Sequence, residues 1–535
     1  MKRKNALIHR SKKGMVSSAS KPATEVGAKI LANGGNAFDA AVAVSYCLGV
    51  TEPQASGIGG QSMAVVYHEK ERRYFALDGS SIAPYHFQPK DMPKNPLKLG
   101  LKASTLPSTP AFYGYLLENY GTMNLKELLA PAIQYAEDGF PVTPLIHDLI
   151  DKNKEELMQD PQANKNFLQE GRAIPVKDIL KQPELAGMMK QMAKAGWRDF
   201  YTGEIGDKII ADMGERDGII TAEDLSQIPI PIERPILEGK YRKHGIVTFP
   251  PPGAGRVLVQ ILNILENFSE EDIDLNSPHG NLITALAFQM TLRDRKEMPQ
   301  NPDIYVQQST RRMTDKKYSQ EVTGNIRKML ERYGESMTFV PPRTSGETTH
   351  FSVADGEGNV VAVTQSIELV FGAKRTAQDL GFFYNNYMSA FEYKDRTHPY
   401  YLLPGNTPWS SVAPTIVTFR KKPLLVLGSP GSERISTALS QVISRYIDGE
   451  QDLAEAIEEP RFHTSDLKKM QLEKKRFSED IVKVFEETGF EIRSRGPYSF
   501  YLGCVQAIEL PNKRNNYQFY GVADPRRDGS AKGPE

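Results

Sequence analysis

Two threonines and a histidine, Thr348, Thr349 and His350, open a predicted strand directly after the polar segment PPRTSGE. Apolar and polar residues alternate from Thr349 to Ala354, and the DGEGN segment that follows predicts a turn. A threonine hydroxyl is an effective nucleophile only when a base removes its proton, and the amine of an N-terminal threonine can be that base. Cleavage of the Glu347–Thr348 bond would create such an amine, whose pKa of about 7.7–8.0 suits a general base. The alternative is an ordinary strand start, because threonine is common in strands.

Three further groups of residues could serve the same chemistry. Ser366 ends the partner strand VVAVTQS, so a hairpin brings its hydroxyl near the threonine. In GSPGSERI, a turn precedes a helix, and the backbone N–H groups of Gly431 and Ser432 are candidate oxyanion donors. A phosphate loop or a plain helix start is the alternative there, although the GxxxxGK[ST] spacing is missing. Ser410 and Ser411 are adjacent donors in a loop, able to bind a carboxylate or simply to hydrogen-bond within a turn.

The elements around these residues predict a layered fold. Residues 20–50 have the spacing of two helices and are followed by a hairpin, whereas residues 112–340 have a mainly helical pattern. From Thr348 onward the pattern returns to strand pairs. Two helix-rich blocks and several hairpins fit two antiparallel sheets between helix layers.

Composition excludes several classes of protein. The chain has 535 residues, with 66 Lys and Arg and 66 Asp and Glu, and this balance argues against a nucleic-acid partner. Both cysteines, Cys47 and Cys504, lie in apolar runs, and the nine histidines lack metal-ligand spacing, so we expect no cofactor and no metal. No apolar run reaches the ~20 residues of a membrane span. The basic N-terminus lacks the apolar core of a signal peptide, which predicts a cytoplasmic protein without a membrane partner.

Long motifs in a fixed order carry a resemblance to a known family. They are GMVSSASKPATEVGAKILANGGNAFDAAVAVSYCLGVTEPQASGIGG, FYTGEIG, GIITAEDL, FPPPGAGRVLVQILNILE, TTHFSVADGEGNVVAVTQS, PWSSVAPTIV, GSPGSERI and ADPRRDGSAKG. Together they cover nearly the whole chain. They resemble the γ-glutamyltranspeptidase family with its related cephalosporin acylases, which are N-terminal-nucleophile hydrolases.

The resemblance implies an α+β fold, an αββα sandwich with a large helical body, made as one proenzyme that cuts itself. The large subunit would be residues 1–347 and the small subunit residues 348–535. The site residues that the resemblance implies are Thr348 as nucleophile, Ser366 as the assisting hydroxyl, Gly431 and Ser432 as the oxyanion pair, Ser410 and Ser411 as ligands of a substrate carboxylate, and Glu347 with Thr348 as the autocleavage pair.

The sequence departs from the family where the substrate is recognised. The acidic residue that binds the α-amine of a γ-glutamyl group lies in a MDDF-like run, and here the run is YMSAF with Ala390 at that position. Glu368 replaces a frequent asparagine and is a candidate substitute for the missing negative charge. The segment SSIAPYHFQPKDM lacks the family's carboxylate-binding arginine. The stretch from Phe391 to Ser410 is also shorter than in members with a lid, which predicts a more open site.

Three functions therefore stay open at the level of sequence. The first is a self-cleaving amidohydrolase and acyltransferase for γ-glutamyl compounds such as glutathione, with water or an amine as acceptor. The second is an acylase for glutaryl-type or other dicarboxylic amides, which have no α-amine and would explain Ala390. The third is an uncleaved relative that binds a ligand without catalysis. In the two enzymatic cases the partners are a small-molecule amide and the chain's own two subunits.

Overall fold

Two seven-stranded antiparallel sheets form the centre of the molecule. The computed structural model describes residues 7–87, 96–303, 310–331, 346–465 and 468–535. The strands are β1 (Ile8–Ser11), β2 (Gly14–Ser18), β3 (Gln61–His68), β4 (Arg73–Gly79), β5 (Phe140–Pro141), β6 (Leu168–Gln169), β7 (Arg172–Ala173), β8 (Ile179–Leu180), β9 (Ile232–Arg234), β10 (Leu237–Tyr241), β11 (His244–Thr248), β12 (Glu347–Asp355), β13 (Val360–Glu368), β14 (Thr415–Phe419), β15 (Lys422–Gly428), β16 (Phe462–His463), β17 (Lys469–Leu472), β18 (Glu491–Ser494), β19 (Gln506–Glu509), β20 (Phe519–Ala523) and β21 (Ser530–Lys532). One large sheet has the order β1-β20-β19-β15-β14-β11-β10 and the other the order β21-β2-β12-β13-β3-β4-β9.

Helices cover the outer faces of both sheets. They are α1 (Lys21–Ala32), α2 (Ala37–Thr51), α3 (Thr109–Tyr120), α4 (Leu125–Asp138), α5 (Pro144–Lys152), α6 (Lys154–Leu157), α7 (Pro161–Phe167), α8 (Pro183–Ala195), α9 (Asp199–Thr202), α10 (Glu204–Glu215), α11 (Ala222–Ser226), α12 (Gly255–Leu265), α13 (Pro278–Glu297), α14 (Lys316–Glu331), α15 (Arg434–Ile447), α16 (Leu453–Glu458) and α17 (Glu479–Glu487). Helices α1 to α10 and the β12–β13 side share one apolar core, whereas α12 to α17 share a second core with the other sheet.

A third apolar core fills the space between the sheets and makes the sandwich. Side chains alternate along each strand, so Val361 and Val363 of β13 face the helices while Val360 and Ala362 face the opposite sheet. Both faces of the central strands are therefore buried. The predicted αββα sandwich is confirmed by this order of layers.

The segments before and after residue 347 share both sheets. Strand β12 pairs with β2 on one side and with β13 on the other, and β13 also pairs with β3. Neither segment holds a complete sheet. Because of this interleaving, cleavage at Glu347–Thr348 would leave two chains that remain in one folded body.

The helical body predicted over 112–340 is mainly helical in its described part but also contains strands, and residues 304–309 and 332–340 lie outside the described residues. The largest omission is the run β9, β10 and β11, of which β9 and β10 lie at sheet edges. Their sequence IERPILEGKYRKHGIVT mixes charged residues with apolar ones, since edge strands expose one face and one side to water. That mixture weakens the strand signal in the sequence.

Candidate active site

The hydroxyl of Thr348 lies in a polar cluster around the carbonyl of Glu347. Thr348 Oγ1 donates to Ser366 Oγ at 3.4 Å, and Ser366 Oγ donates to the Glu347 carbonyl oxygen at 2.7 Å. The backbone N–H of Glu368 also donates to Ser366 Oγ, at 2.9 Å. One donated and two accepted bonds use the full capacity of the serine hydroxyl. Its proton is therefore directed at the carbonyl that precedes the candidate nucleophile.

A β-bulge positions these groups. Glu347 pairs with Glu368 and Thr349 pairs with Gln365, so two residues of β13 lie opposite Thr348 alone. Glu368, which closes the bulge, has a φ of +79°, in a region that non-glycine residues rarely occupy. Bulges beside active sites redirect side chains, and here the irregular pairing brings Ser366 against the Glu347–Thr348 peptide.

A buried ion triad holds the side chain of Glu347. Arg527 Nη2 lies 2.7 Å from Glu347 Oε2, and Arg527 Nη1 lies 2.5 Å from Glu52 Oε1. All three side chains are buried. Burial raises the pKa of Glu52, and the charge of Arg527 opposes that shift. The triad links the residue before Thr348 to α2 and to the C-terminal segment.

The turn that contains Gly431 and Ser432 lies beside the same peptide. A side chain built on Gly346 would come within 3.4 Å of Ser432 Cβ and 3.4 Å of the Glu368 carbonyl oxygen. In the described part of the chain, the backbone N–H groups of Gly431 and Ser432 have no protein acceptor. Ser432 has a φ of +56°, in the left-handed region that favours glycine. Two free donors at this turn fit the predicted oxyanion role, which stays a prediction.

The serine pair is attached to a buried arginine. Arg295, near the end of α13, donates through Nη2 to the Ser410 carbonyl oxygen at 2.9 Å and to Ser411 Oγ at 3.0 Å. Its guanidinium also lies over the ring of Trp409, 4.9 Å from the centroid. Burial lowers the pKa of Arg295, while the nearby carboxylates of Glu433 and Glu368 oppose that shift. Arg295 therefore connects the serine pair electrostatically to Glu368 at the end of β13.

Glu368 is an acid with a strongly shifted pKa. Burial raises its pKa to about 7, partly offset by the charges of Arg295 and Lys98. The buried hydroxyl of Tyr387 lies close enough to Glu368 and Ser366 for both to influence its pKa, which burial raises. A carboxyl group that titrates near neutrality beside the candidate nucleophile is typical of functional sites.

Ala390 lies in the segment between the end of β13 and the serine pair. The backbone N–H of Trp409 donates to the Ala390 carbonyl oxygen at 3.4 Å, directly before Ser410. Asn386, in the same segment, donates through its N–H to Ile367 O and accepts from Leu369 N–H. The segment that lacks the family's acidic residue thus bridges the end of β13 and the serine pair.

His350 does not take part in this cluster. Its ring is fully buried between the sheets, bonded to Thr364 Oγ1 at 2.9 Å and Ser352 Oγ at 3.2 Å. Burial lowers its pKa to about 3, so the ring is neutral at physiological pH. Gly428 is required opposite it, because a Cβ there would lie 2.2 Å from the ring. His350 is a structural residue of the core.

The part of the chain that the structure describes contains neither a candidate metal-binding cluster nor a candidate membrane-spanning helix. Among these residues, no cluster of three or more His, Cys, Asp or Glu side chains could hold a metal ion. Cys47 and Cys504 are buried free thiols. None of the described helices combines the length and the apolar character that crossing a bilayer needs.

Sequence reasoning missed Arg295, Arg527 and Tyr387. The two arginines contact the predicted residues across large sequence separations, 116 residues from Arg295 to Ser411 and 180 from Arg527 to Glu347. The motif ADPRRDGSAKG does mark Arg527, and the YMSAF run includes Tyr387. Arg295, in LRDRKEM, has no local pattern that distinguishes it from an exposed helical arginine.

Comparison with known proteins identifies relatives over almost the whole chain. The family model described as gamma-glutamyltranspeptidase matches residues 23–533. The glutathione hydrolase proenzyme of Escherichia coli (strain K12) is 35% identical over 541 aligned positions, covering 97% of this chain and 91% of the relative.

Acylases are also among the relatives. The Acylase ACY 1 proenzyme of Pseudomonas sp. (strain V22) is 32% identical over 472 positions, covering 84% of this chain and 82% of the relative. The crystal structure of cephalosporin acylase from Bacillus halodurans superposes with a TM-score of 0.86 at 27% identity, covering 100% of this chain and 98% of that chain.

Proposed function

We propose a function for this chain on the basis of its family. The chain belongs to the γ-glutamyltranspeptidase family, as the match over residues 23–533 shows. It is an enzyme of the γ-glutamyltransferase class, and the resemblance found in the sequence is confirmed. Our proposal is that it cuts itself between Glu347 and Thr348 and then uses Thr348 to transfer or hydrolyse acyl groups. The observation that carries this proposal is the direct hydrogen bond from Ser366 to the Glu347 carbonyl.

Autocleavage follows from the geometry of the uncut chain. Thr348 Oγ1 attacks the Glu347 carbonyl carbon, and Ser366 polarises that carbonyl through its 2.7 Å bond. The hydroxyl proton of Thr348 passes to the departing nitrogen as the C–N bond breaks, so the acyl group of Glu347 moves to the threonine oxygen as an ester and the threonine nitrogen becomes an amine. Water hydrolyses the ester, leaving the Glu347 carboxylate and a free N-terminal Thr348. The new amine then serves as general base for the threonine hydroxyl in turnover.

The acyl donor that we propose first is a γ-glutamyl compound such as glutathione. The serine pair with Arg295 behind it suits the donor's carboxylate. Glu368, half-buried and with a pKa of about 7, suits the donor's α-ammonium group in its ionised form. The names of the curated relatives, led by glutathione hydrolase proenzymes at 30–35% identity, support this donor.

A second donor class is supported by one specific observation. Ala390 lies beside Trp409 and the serine pair, where a carboxylate would otherwise meet the α-ammonium. A glutaryl group has the same chain length and the same carboxylate but no amine, so it leaves no unpaired ammonium at Ala390. The overall similarity to a cephalosporin acylase structure favours this class further.

Three p-nitroanilides that differ only in the acyl chain separate these functions. The γ-glutamyl donor has carboxylate and amine, the glutaryl donor has the carboxylate only, and the butyryl donor has neither. The readout is kcat/KM of the purified, cleaved enzyme for each donor, with and without a dipeptide acceptor. Thr348→Ala is the control for background hydrolysis.

The outcomes are distinct. Preference for the γ-glutamyl donor, with rate enhancement by the acceptor, supports the first function. Preference for the glutaryl donor assigns the second. Equal and slow hydrolysis of all three donors by a correctly cleaved enzyme contradicts both, because neither charge on the acyl chain would then be recognised.

A further inference from the structure

Arg295 is buried, and among the residues that the structure describes no counterion contacts it. The residue is 6% exposed, and no described carboxylate forms an ion pair with it within 4 Å. Its acidic neighbours Glu433 and Glu368 act on it only at longer range. A buried charge without a counterion in contact is destabilising, so its position next to the candidate site favours an anionic ligand there.

The hydrogen bonds of Arg295 determine how the serines can act. Ser411 Oγ accepts from the guanidinium, so its own proton must be donated elsewhere. Ser410 Oγ accepts from the backbone N–H of Val412 at 3.4 Å, and its proton is likewise left for another acceptor. Among the described residues neither hydroxyl has a protein acceptor. Two hydroxyl donors backed by a positive charge are complementary to a carboxylate.

The surroundings keep Arg295 in this position. Trp409 covers one face of the guanidinium, and Tyr400 stacks on Trp409 with ring centroids 5.2 Å apart. On the helix side, Arg256 Nη2 donates to the Arg295 carbonyl oxygen at 3.3 Å. The guanidinium is therefore fixed by packing as well as by its bonds to the serine loop.

We propose that Arg295 is the positioning residue that makes the Ser410–Ser411 pair a receptor for the carboxylate of the acyl donor. It orients both hydroxyls as donors and supplies the positive charge behind them, in place of the arginine that is missing from residues 80–92. This inference rests on the proposed function, since it concerns the donor of the same site.

The test compares donors with and without the carboxylate. We expect Arg295→Gln to lower the glutaryl-to-butyryl ratio of kcat/KM by about 10- to 100-fold, mainly through KM for the glutaryl donor. Arg295→Lys should restore part of the ratio because it keeps the charge. Ser411→Ala should lower the ratio in the same direction. The matched control is Arg445→Gln, which removes a buried arginine of α15 that donates to the Pro460 carbonyl oxygen, and it should leave the ratio unchanged.

Direct binding keeps the inference testable without turnover. Calorimetry with glutarate, and with butyramide as the reference that has no carboxylate, measures carboxylate recognition even if no donor is hydrolysed. Weaker glutarate binding in Arg295→Gln together with inactive wild type would overturn the proposed donors but support the role of Arg295.

Several results would overturn the role of Arg295. An equal loss of kcat/KM with the glutaryl and the butyryl donor in Arg295→Gln would show that Arg295 is a purely structural residue. An unchanged ratio and unchanged glutarate binding would show no role in recognition. Loss of glutarate selectivity in Lys98→Gln, but not in the Arg295 variants, would assign the carboxylate to that exposed lysine instead. If Arg295→Gln does not fold, the glutaryl-to-butyryl ratio of kcat/KM in Arg295→Lys and in Ser411→Ala tests the role of Arg295.

Discussion

The peptide to be cut and the residues expected to hold the substrate are supported by different parts of the molecule. Around Glu347 and Thr348, the contacts come from the two strands of one hairpin, a buried ion triad and a backbone turn. The recognition residues Glu368, Ala390 and the serine pair lie on the end of β13 and on two loops. The proposed cutting chemistry depends on side chains and backbone donors that the sheet holds and that match the family's motifs, whereas the proposed recognition depends in part on positions that this chain has replaced, such as Ala390.

The largest effect on the cutting region is expected from Arg527→Met. Removing one member of a buried charge network leaves two carboxylates without their cation, which destabilises by about 3–5 kcal/mol. We expect the precursor to accumulate uncut and to unfold at lower temperature, as measured by gel analysis and thermal denaturation. Arg527→Lys is the matched control and should retain most of the cleavage. Wild-type cleavage in Arg527→Met would show that the triad does not hold the scissile residue.

Loss of the Ser366 hydroxyl should affect both cleavage and turnover. Ser366→Ala removes the donor to the Glu347 carbonyl, and loss of such a donor lowers rates by about 10²–10³-fold. The measurement is the time course of fragment formation by purified precursor, followed by kcat of the fraction that has matured. Ser366→Thr keeps a hydroxyl and should stay close to wild type. Equal rates in all three proteins would contradict the polarising role.

The recognition region can be changed without changing the cutting region. Ala390→Asp places a carboxylate beside Trp409 and the serine pair, where it meets a donor's α-ammonium. We expect the γ-glutamyl-to-glutaryl ratio of kcat/KM to rise by about 10-fold, as one charge-assisted hydrogen bond allows. Ala390→Asn, which is neutral and of similar size, should change the ratio little. Slower autocleavage of Ala390→Asp, without a change in the donor ratio, would show that the two regions are not separable.

The smallest expected effect is a pH dependence of donor preference. Glu368 has its pKa raised to about 7, so it is neutral in acid and becomes an anion as the pH rises. The ionised form attracts an ammonium and repels an added carboxylate. The γ-glutamyl-to-glutaryl ratio should therefore rise about three- to eightfold between about pH 6 and about pH 7.5, and titration of the Thr348 amine cancels in the ratio. In Glu368→Gln the ratio should not change with pH. A pH dependence that persists in this variant would assign the titration to another group.

The two regions also differ in how far the sequence predicts them. The alternation from Thr349 to Ala354, the hairpin turn and the strand–turn–helix at Gly431 are local signals, and the structure places the residues they mark around one peptide. The contacts of Arg295 are tertiary. Its helix position resembles that of an exposed arginine, and only the fold brings it against a loop more than 100 residues away. Edge strands β9 and β10 were missed because exposed strands have no continuous apolar pattern.

Intact-mass spectrometry of the purified wild type beside Thr348→Ala is the most direct test that Thr348 cuts the chain and becomes its nucleophile. We predict two wild-type fragments, one of them starting at Thr348, and a single 59.8 kDa chain in the variant. An uncut wild type after prolonged incubation, or equal cleavage of both proteins, would contradict this assignment.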